Sequence, residues 1–270
     1  MKATTTIHTR FSIGLAIATF VFLASMIPPA ALAQDDAPAA SEGYEGGRGL
    51  ITLEGPSGMF INPTSGTLTK KAATAQYCVF FPDNETDVVG HGLFAGYGVR
   101  DDIEVGAIGN YVDIDKGSSL SAGGPYARWR ILKDEGQAPQ VTLGGYSRLG
   151  EDALDKIGAF LAAYKRIPLS EDGAVRSVGV HVGMKQLWLG KDFSDDDIFS
   201  AYGGVEVQFP LRLYLVGEAQ TQDTDTQTNV PYAVGVQWRA PGIAMSIAGI
   251  QNGSTDDVSF YYGIGAAHQW

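Results

Sequence analysis

Charged side chains recur at every second position in several apolar stretches of this sequence. Arg128 and Arg130, for example, alternate with Trp129 and Ile131. Reading other stretches in steps of two extends the set to Glu104, Arg128, Arg130, Arg148, His181, Lys185, Glu206, Arg212, Glu218 and Arg239. Because Arg and Lys outnumber Glu in this set, its shared chemistry would be the attraction of anions into a polar interior. The alternative is a set of interior ion pairs that fill and stiffen a closed structure.

Catalytic and metal-binding chemistry has little support. His181 lies near no recognisable nucleophile motif, and no Gly-x-Ser-x-Gly elbow occurs. Four carboxylates, Asp192, Asp195, Asp196 and Asp197, could attract a divalent cation, but they lack the Gly and the closing Glu of an EF-hand loop. We therefore expect no enzymatic activity, no metal and no cofactor. The net charge of −11 argues against nucleic acid as a partner.

The first residues indicate export. Lys2 and Arg10 precede an apolar run, and Ala31-Leu32-Ala33 has the small-x-small pattern of a cleavage site. The apolar run is shorter than the ~20 residues of a membrane helix, which disfavours the alternative of an N-terminal anchor. The sequence thus predicts a signal peptide over 1–33, cleaved after Ala33, and a flexible linker over 34–47.

Period-two alternation predicts an all-β chain. Strands are expected near 72–81, 88–99, 103–113, 122–132, 141–149, 157–167, 178–188, 198–209, 211–220, 231–239, 243–251 and 258–270. Most of these segments have the 9–11 residues of a tilted membrane-crossing strand, whereas ordinary strands have about 5–6. Residues 151–166 also fit an amphipathic helix, and a count of 14 strands stays open beside 12.

The connections alternate in character. Tight turns fall at 100–102, at Pro210 and at 240–242, whereas most of the intervening connections are longer and acidic. This layout is typical of a closed antiparallel transmembrane β-barrel, here of 12 strands over 72–270, with polar side chains inside and apolar side chains towards lipid. A soluble sandwich is the alternative. On this interpretation Val236 faces lipid, while Gln237 faces a wet lumen that should tolerate an arginine.

The ending YYGIGAAHQW alternates and closes on an aromatic residue. It resembles the C-terminal signal of bacterial outer-membrane β-barrel proteins, the porin-like superfamily. The resemblance implies an outer-membrane location, lipid around the barrel, recognition of the last strand by the barrel-assembly machinery, and Tyr262 and Trp270 in an aromatic girdle. GLITLEGPSGMF, residues 49–60, is similar to the opening of some YjbH-type proteins tied to exopolysaccharide.

These observations predict a small pore, a passive channel for polar solutes. The alternative is a structural or assembly component of the cell envelope without a channel, linked to surface polysaccharide. The Gly-rich segment 48–71 should discriminate between them. If it folds into the lumen it is a plug that prevents free diffusion, and if it lies in the periplasm the pore stays open.

Overall fold

The computed structural model describes residues 48–82, 88–114, 118–134, 138–150, 154–189, 197–221, 229–253 and 257–270. The predicted signal peptide and linker lie outside these ranges, as do Asp192, Asp195 and Asp196. Among the described residues, no helix has the length and apolar character needed to cross a membrane. The predicted closed antiparallel barrel of 12 strands is confirmed.

The barrel follows a two-stranded ribbon made of β1 (Leu50–Ile51) and β2 (Ser57–Gly58). Its strands are β3 (Ala72–Phe81), β4 (Val89–Arg100), β5 (Ile103–Ile114), β6 (Ser118–Leu132), β7 (Gln140–Gly150), β8 (Lys156–Pro168), β9 (Ser177–Leu189), β10 (Ile198–Gln208), β11 (Leu213–Gln220), β12 (Tyr232–Ala240), β13 (Ile243–Gln251) and β14 (Ser259–Gln269). Each barrel strand pairs with its sequence neighbour, and β14 pairs with β3, from Phe260 beside Phe81 to Gln269 beside Ala72. The last strand therefore closes the barrel.

The segment that also fitted a helix is largely a strand. β8 pairs with β7 on one side and with β9 on the other, so its backbone groups take part in two ladders. Phe160 points inward and covers Gly144 on the neighbouring strand, where a Cβ would collide with the phenyl ring. Pairing on both sides outweighs the helical spacing of the apolar residues in this segment.

The two faces of the strands have the predicted character. Trp129 is 50% exposed on the outer surface, whereas the adjacent Arg128 is only 2% exposed inside. In β12, Val234 and Val236 lie outside, and Ala233 and Gln237 lie inside. The apolar residues therefore form the outer surface, and the interior of the barrel is rich in polar and charged groups.

Two strand boundaries differ from the sequence prediction. β6 begins at Ser118 rather than near 122, because its first residues continue the ladder with the end of β5. β11 begins at Leu213 rather than 211, because Pro210–Arg212 form a short 3-10 turn. Leu211 and Arg212 both have φ of 58°, a left-handed conformation that a strand cannot contain.

The connections define two ends of the barrel. The tight-turn end carries the connection Asp101–Asp102 between β4 and β5 and the connection Pro241–Gly242 between β12 and β13. The long-loop end carries the connections 190–197 and 221–231. We call residues 48–71 the luminal segment. It ends at the tight-turn end, where Lys71 N–H donates to Gly98 O at 2.8 Å shortly before β4 finishes.

Candidate functional site in the barrel lumen

The luminal segment lies inside the barrel. Glu104 of β5 binds residues near the two ends of this segment, and Glu218 of β11 binds the middle of the segment. β5 and β11 are six places apart in a ring of 12 strands, so these contacts come from opposite walls. From Arg48 to Gly66, nearly every residue of the segment is buried. Further contacts come from Gln140, Thr142, Tyr146, Lys156, Tyr202, Gln237 and Tyr261.

Glu104 joins both ends of the luminal segment to the wall. Its carboxylate accepts two hydrogen bonds from Arg48, at 2.6 and 3.0 Å, and one from Leu68 N–H at 2.7 Å. Tyr126 also donates to it, and the Arg128 guanidinium lies 3.5 Å away. The Arg48, Glu104 and Arg128 side chains are fully buried. A charged group at this depth is stable only when it is paired, so the network holds the segment in place.

Arg128 fastens the returning half of the luminal segment. Its guanidinium donates to Gly66 O at 2.7 Å and to Ser57 Oγ at 2.6 Å. Thr142 on the next strand donates to Ser65 O at 2.5 Å. These donors satisfy backbone carbonyls that have no sheet partner inside the barrel.

Glu218 binds the opposite side of the segment through backbone amides. Its carboxylate accepts from the N–H groups of Phe60, Ile61 and Asn62 at 2.6, 2.7 and 3.1 Å. The Asn62 amide adds a bond of 2.9 Å. Successive N–H groups that point to one anion form a nest, which supplies partial positive charge without a cationic side chain.

Glu54 occupies the tip of the β1–β2 hairpin. It accepts from Tyr146 at 2.8 Å and from Lys156 at 2.9 Å, and Lys185 lies 3.7 Å away. Burial raises the pKa of Glu54, but the charges of Lys185 and Arg148 outweigh burial and hold the pKa below its usual value. Glu54 is therefore an ionised carboxylate at neutral pH.

A third cluster lies in the wall towards the tight-turn end. Glu206 pairs with Arg239 at 2.8 Å, accepts from Tyr164 at 2.9 Å and lies 3.5 Å from His181. The Arg239 guanidinium also stacks over the Tyr214 ring at 4.2 Å, a cation–π arrangement. This cluster belongs to the wall, and its link to the luminal segment runs through a neighbouring glutamine.

That glutamine is Gln237. On the sequence alone this position is expected to tolerate an arginine, but its surroundings in the structure argue against such a substitution. Gln237 is fully buried, donates to Met59 O at 2.8 Å and accepts from Arg239 Nε at 2.9 Å. The lumen at this point is filled with protein rather than water. A larger cationic side chain would displace Met59 and lie beside Arg239.

The remaining predicted residues have further partners in the wall or lie near the tight-turn end. Arg148 is buried and donates to Asn110 Oδ1 at 2.7 Å, and Lys185 donates to Gln220 at 3.0 Å. Arg130 is only partly buried at the tight-turn end, where it donates to Asp101 O at 2.5 Å. Arg212 lies in the turn before β11 and not on a luminal strand face, because Pro210 and two left-handed residues delay the strand.

The predicted girdle residues lie on the outer surface. Tyr262 packs edge-on against Phe81, with ring centroids 6.1 Å apart. Trp270 is 70% exposed and makes an edge contact with His268. Both aromatic rings therefore face outwards.

The sequence prediction missed several of the binding groups, notably Arg48, Glu54 and Tyr202. The inward-facing glycines of the sequence were a signal that a further length of chain lies inside the barrel. A Cβ at Gly204 would collide with Met59 Sδ, so the wall is thinned where the luminal segment passes. The residues that the structure describes hold no group of three or more His, Cys, Asp or Glu side chains able to bind a metal ion. The absence of enzymatic activity stays a prediction.

Comparison with known proteins supports the architecture. No protein-family model matches the chain, and no curated protein matches it. Among solved structures, the barrel is similar to the KdgM porin, with a TM-score of 0.50 and 9% identity over 73% of this chain and 99% of that chain. It also matches a loop-deletion mutant of OmpT, an outer membrane protein of Vibrio cholerae, with a TM-score of 0.35 and 12% identity over 74% of this chain and 98% of that one. The translocator domain of the autotransporter NalP from Neisseria meningitidis matches with a TM-score of 0.34 and 12% identity over 76% and 90%. The closed 12-strand barrel and its similarity to the KdgM porin show that the chain has the fold of bacterial outer-membrane β-barrels, and the YjbH-type likeness stays a prediction.

Proposed function

We propose that this protein is an outer-membrane channel for polar solutes that the luminal segment holds closed. The observation that carries the proposal is the attachment of this segment to opposite walls by Glu104 and Glu218. The attachment consists of hydrogen bonds and ion pairs, which can exchange with water or with a solute. The porin fold supports a channel at the level of architecture.

The size of the barrel agrees with this proposal. Eight strands leave an interior that side chains alone can fill, whereas 16–18 strands leave an aqueous channel. A barrel of 12 strands is intermediate, and here an additional length of chain occupies the interior. Removal of that chain should leave a polar passage lined by the Arg, Lys and Glu side chains of the wall.

We propose that the outer surface lies in the lipid of the outer membrane, with the tight-turn end in the periplasm. Val236 lies in the middle of β12 and faces outwards. We expect Val236→Arg to lower the free energy of unfolding by about 2–4 kcal/mol in lipid bilayers, because a charge at the bilayer midplane loses its hydration. Urea titration of the folded barrel in vesicles would measure the change.

Tyr232 provides the control for this substitution. It faces outwards on the same strand but is the first residue of β12, close to the long-loop end. Tyr232→Arg should cost about 0–1 kcal/mol, because the cost falls towards the interface. Equal costs at the two positions would contradict the placement of β12 across a bilayer.

Conductance in planar bilayers tests the closed channel. The complete mature chain should conduct little, and a variant that lacks residues 48–68 should give steady openings. Glu218→Ala should give intermittent openings, because three backbone N–H groups of the segment lose their acceptor. Arg100→Ala removes an exposed ion pair with Asp102 at the rim and should leave the conductance unchanged.

Two results would contradict the closed channel. Equal, steady conductance of the complete chain and the deletion variant would show that the segment blocks nothing. A deletion variant that folds, as judged by heat-modifiable migration on gels, but never conducts would show that the barrel has no passage.

A second candidate function is a structural component of the envelope that stays closed. Met59, Phe60 and Ile61 pack into the main apolar cluster of the lumen, which favours permanent attachment of the segment. In that case the deletion variant would still conduct, but neither a change of voltage nor any added solute would open the complete chain.

A further inference from the structure

The main chain of the luminal segment bonds largely to itself. The strands β1 and β2 form a ladder with Leu50 opposite Gly58 and Ile51 opposite Ser57. Further main-chain bonds join the N–H groups of Thr52, Leu53, Gly55, Met59 and Thr64 to the carbonyl groups of Pro56, Phe60, Thr52, Asn62 and Ser57, respectively. A buried backbone group needs a partner, and an extended chain in the lumen would leave these groups without one. We call residues 48–66, which include all of these groups, the folded unit.

The two ends of the folded unit touch each other. A Cβ at Gly66 would lie 2.6 Å from Arg48 Cα, and the Thr64 hydroxyl donates to Arg48 O at 2.8 Å. The chain thus closes on itself inside the lumen. A unit with closed ends can change its position without a change in its own backbone.

The wall holds the folded unit with side chains. Among the described residues, no backbone–backbone hydrogen bond joins the unit to a barrel strand. Wall side chains bind its main chain instead, namely those of Arg128, Thr142, Tyr202, Glu218, Gln237 and Tyr261. Each of these bonds breaks when one side chain changes its rotamer, so the unit can separate from the wall while both backbones keep their own bonds.

A short link joins the folded unit to the barrel. Within it, Lys70 N–H donates to Asp101 Oδ1 at 2.9 Å, again a side chain of the wall. Backbone–backbone bonding to the barrel begins at Lys71, whose φ of 66° marks the turn into β3. Residues 67–70 are therefore the link. Four residues span at most about 14 Å, so the unit stays tethered to the tight-turn end.

We propose that the folded unit leaves its place in the lumen as one body, which turns about residues 67–70 towards the tight-turn end while its internal bonds stay formed. Unravelling of its backbone would break the internal bonds as well as the bonds to the wall, and would therefore cost more free energy. The role of this motion in opening the channel rests on the proposed function, but the integrity of the unit does not.

Amide hydrogen exchange of the complete mature protein in detergent micelles tests the motion, with Glu218→Ala as the variant. The three N–H groups that bind Glu218 lose their acceptor, so their exchange should become about tenfold faster or more. The N–H groups of Thr52 and Leu53 bond within the unit, and their exchange should change by less than about twofold.

Two further variants control this experiment. Glu218→Gln keeps the volume of the side chain and should give the same pattern as Glu218→Ala. Arg100→Ala removes the exposed ion pair with Asp102 at the rim and should leave every exchange rate unchanged.

Two exchange patterns would overturn the proposal. Equal acceleration at Thr52, at Leu53 and at the three N–H groups that bind Glu218 would show that the segment unravels. No acceleration at any of these groups would show that the unit keeps its place without Glu218.

Engineered disulfides test the motion in a second way, in a Cys78→Ala background that has no other thiol. A Cβ at Gly204 would lie 2.3 Å from Met59 Sδ, so Met59→Cys and Gly204→Cys should join the unit to β10. Ile51→Cys and Ser57→Cys lie opposite each other in the ladder and should join the two strands of the unit.

Conductance in the Glu218→Ala background separates the two disulfides. The disulfide to β10 should abolish the openings, and its reduction should restore them. The disulfide within the unit should leave the openings unchanged. Loss of openings with both disulfides would indicate that opening requires unravelling, which contradicts the proposal.

The two proposals can fail separately. The expected exchange pattern, in a protein whose deletion variant never conducts, would retain the folded unit and remove the channel. A conducting deletion variant, in a protein whose luminal amides all accelerate equally in Glu218→Ala, would retain the channel and remove the motion as one body.

Discussion

Replacement of Glu104 with alanine is expected to lower the free energy of unfolding by about 3–5 kcal/mol, since it breaks a buried ion pair on one side only. The change leaves Arg48 and Arg128 as neighbouring buried cations without a counter-charge. It also leaves Leu68 N–H and the Tyr126 hydroxyl without their acceptor. Urea titration of the folded barrel in vesicles measures the loss, and easier proteolysis of residues 48–71 should accompany it.

Asp102→Ala is the matched control for this prediction. Asp102 lies two residues before Glu104 in the sequence and pairs with Arg100 at 3.1 Å. The Arg100 side chain, however, is 66% exposed. Water and salt screen such a pair, so its removal should cost about 0–1 kcal/mol. Similar losses for the two variants would show that burial of the Glu104 network contributes little to the stability of the barrel.

Deletion of Trp270 is expected to remove most of the protein from the outer membrane while hardly changing the stability of what assembles. The ring is 70% exposed, and the Trp270 N–H donates to Lys71 O at a long 3.4 Å. Loss of so little burial should cost about 1 kcal/mol or less. The pairing of β14 with β3 already ends at Gln269 and does not need the tryptophan.

Assembly should depend on the aromatic residue for another reason. If the assembly machinery recognises the last strand by its terminal aromatic residue, as we propose, the deletion leaves the chain in the periplasm, where exposed strands aggregate. Trp270→Ala should behave like the deletion, and Trp270→Phe should restore assembly. The measurement is the amount of heat-modifiable protein in the outer-membrane fraction, with periplasmic stress as a second readout. Normal outer-membrane levels of the deletion variant would contradict a role of Trp270 in assembly.

Local alternation predicted the strands, and strand length together with the connections predicted the barrel. Alternation such as that of Arg128 and Trp129 depends on a two-residue period that every strand shows without reference to its neighbours. Most predicted strands therefore agree with the structure within one or two residues, and the even number of strands agrees with it as well. The exceptions are the start of β6, which pairing with β5 extends, and Arg212, where a left-handed turn replaces the start of β11.

The contents of the lumen were decided by tertiary structure. Alternation shows that Glu104, Glu218 and Gln237 face inwards, but it cannot show whether water or protein lies opposite them. Glu104 and Arg48 are 56 residues apart in the chain, and Glu218 and Phe60 are 158 apart. No short-range period connects such pairs, because they meet only after the barrel has closed around the luminal segment.

The sequence by itself therefore determined that the chain consists of strands with one polar and one apolar face, because one strand suffices to show both faces, and strand length and connections predicted that these strands form a barrel. Only the tertiary structure decided that residues 48–68 fill the interior of the barrel and that the charges there bind this segment rather than open water. The physical reason is that a buried charge requires a group of opposite charge or a hydrogen-bond partner. Which group meets it depends on how the 12-strand barrel closes.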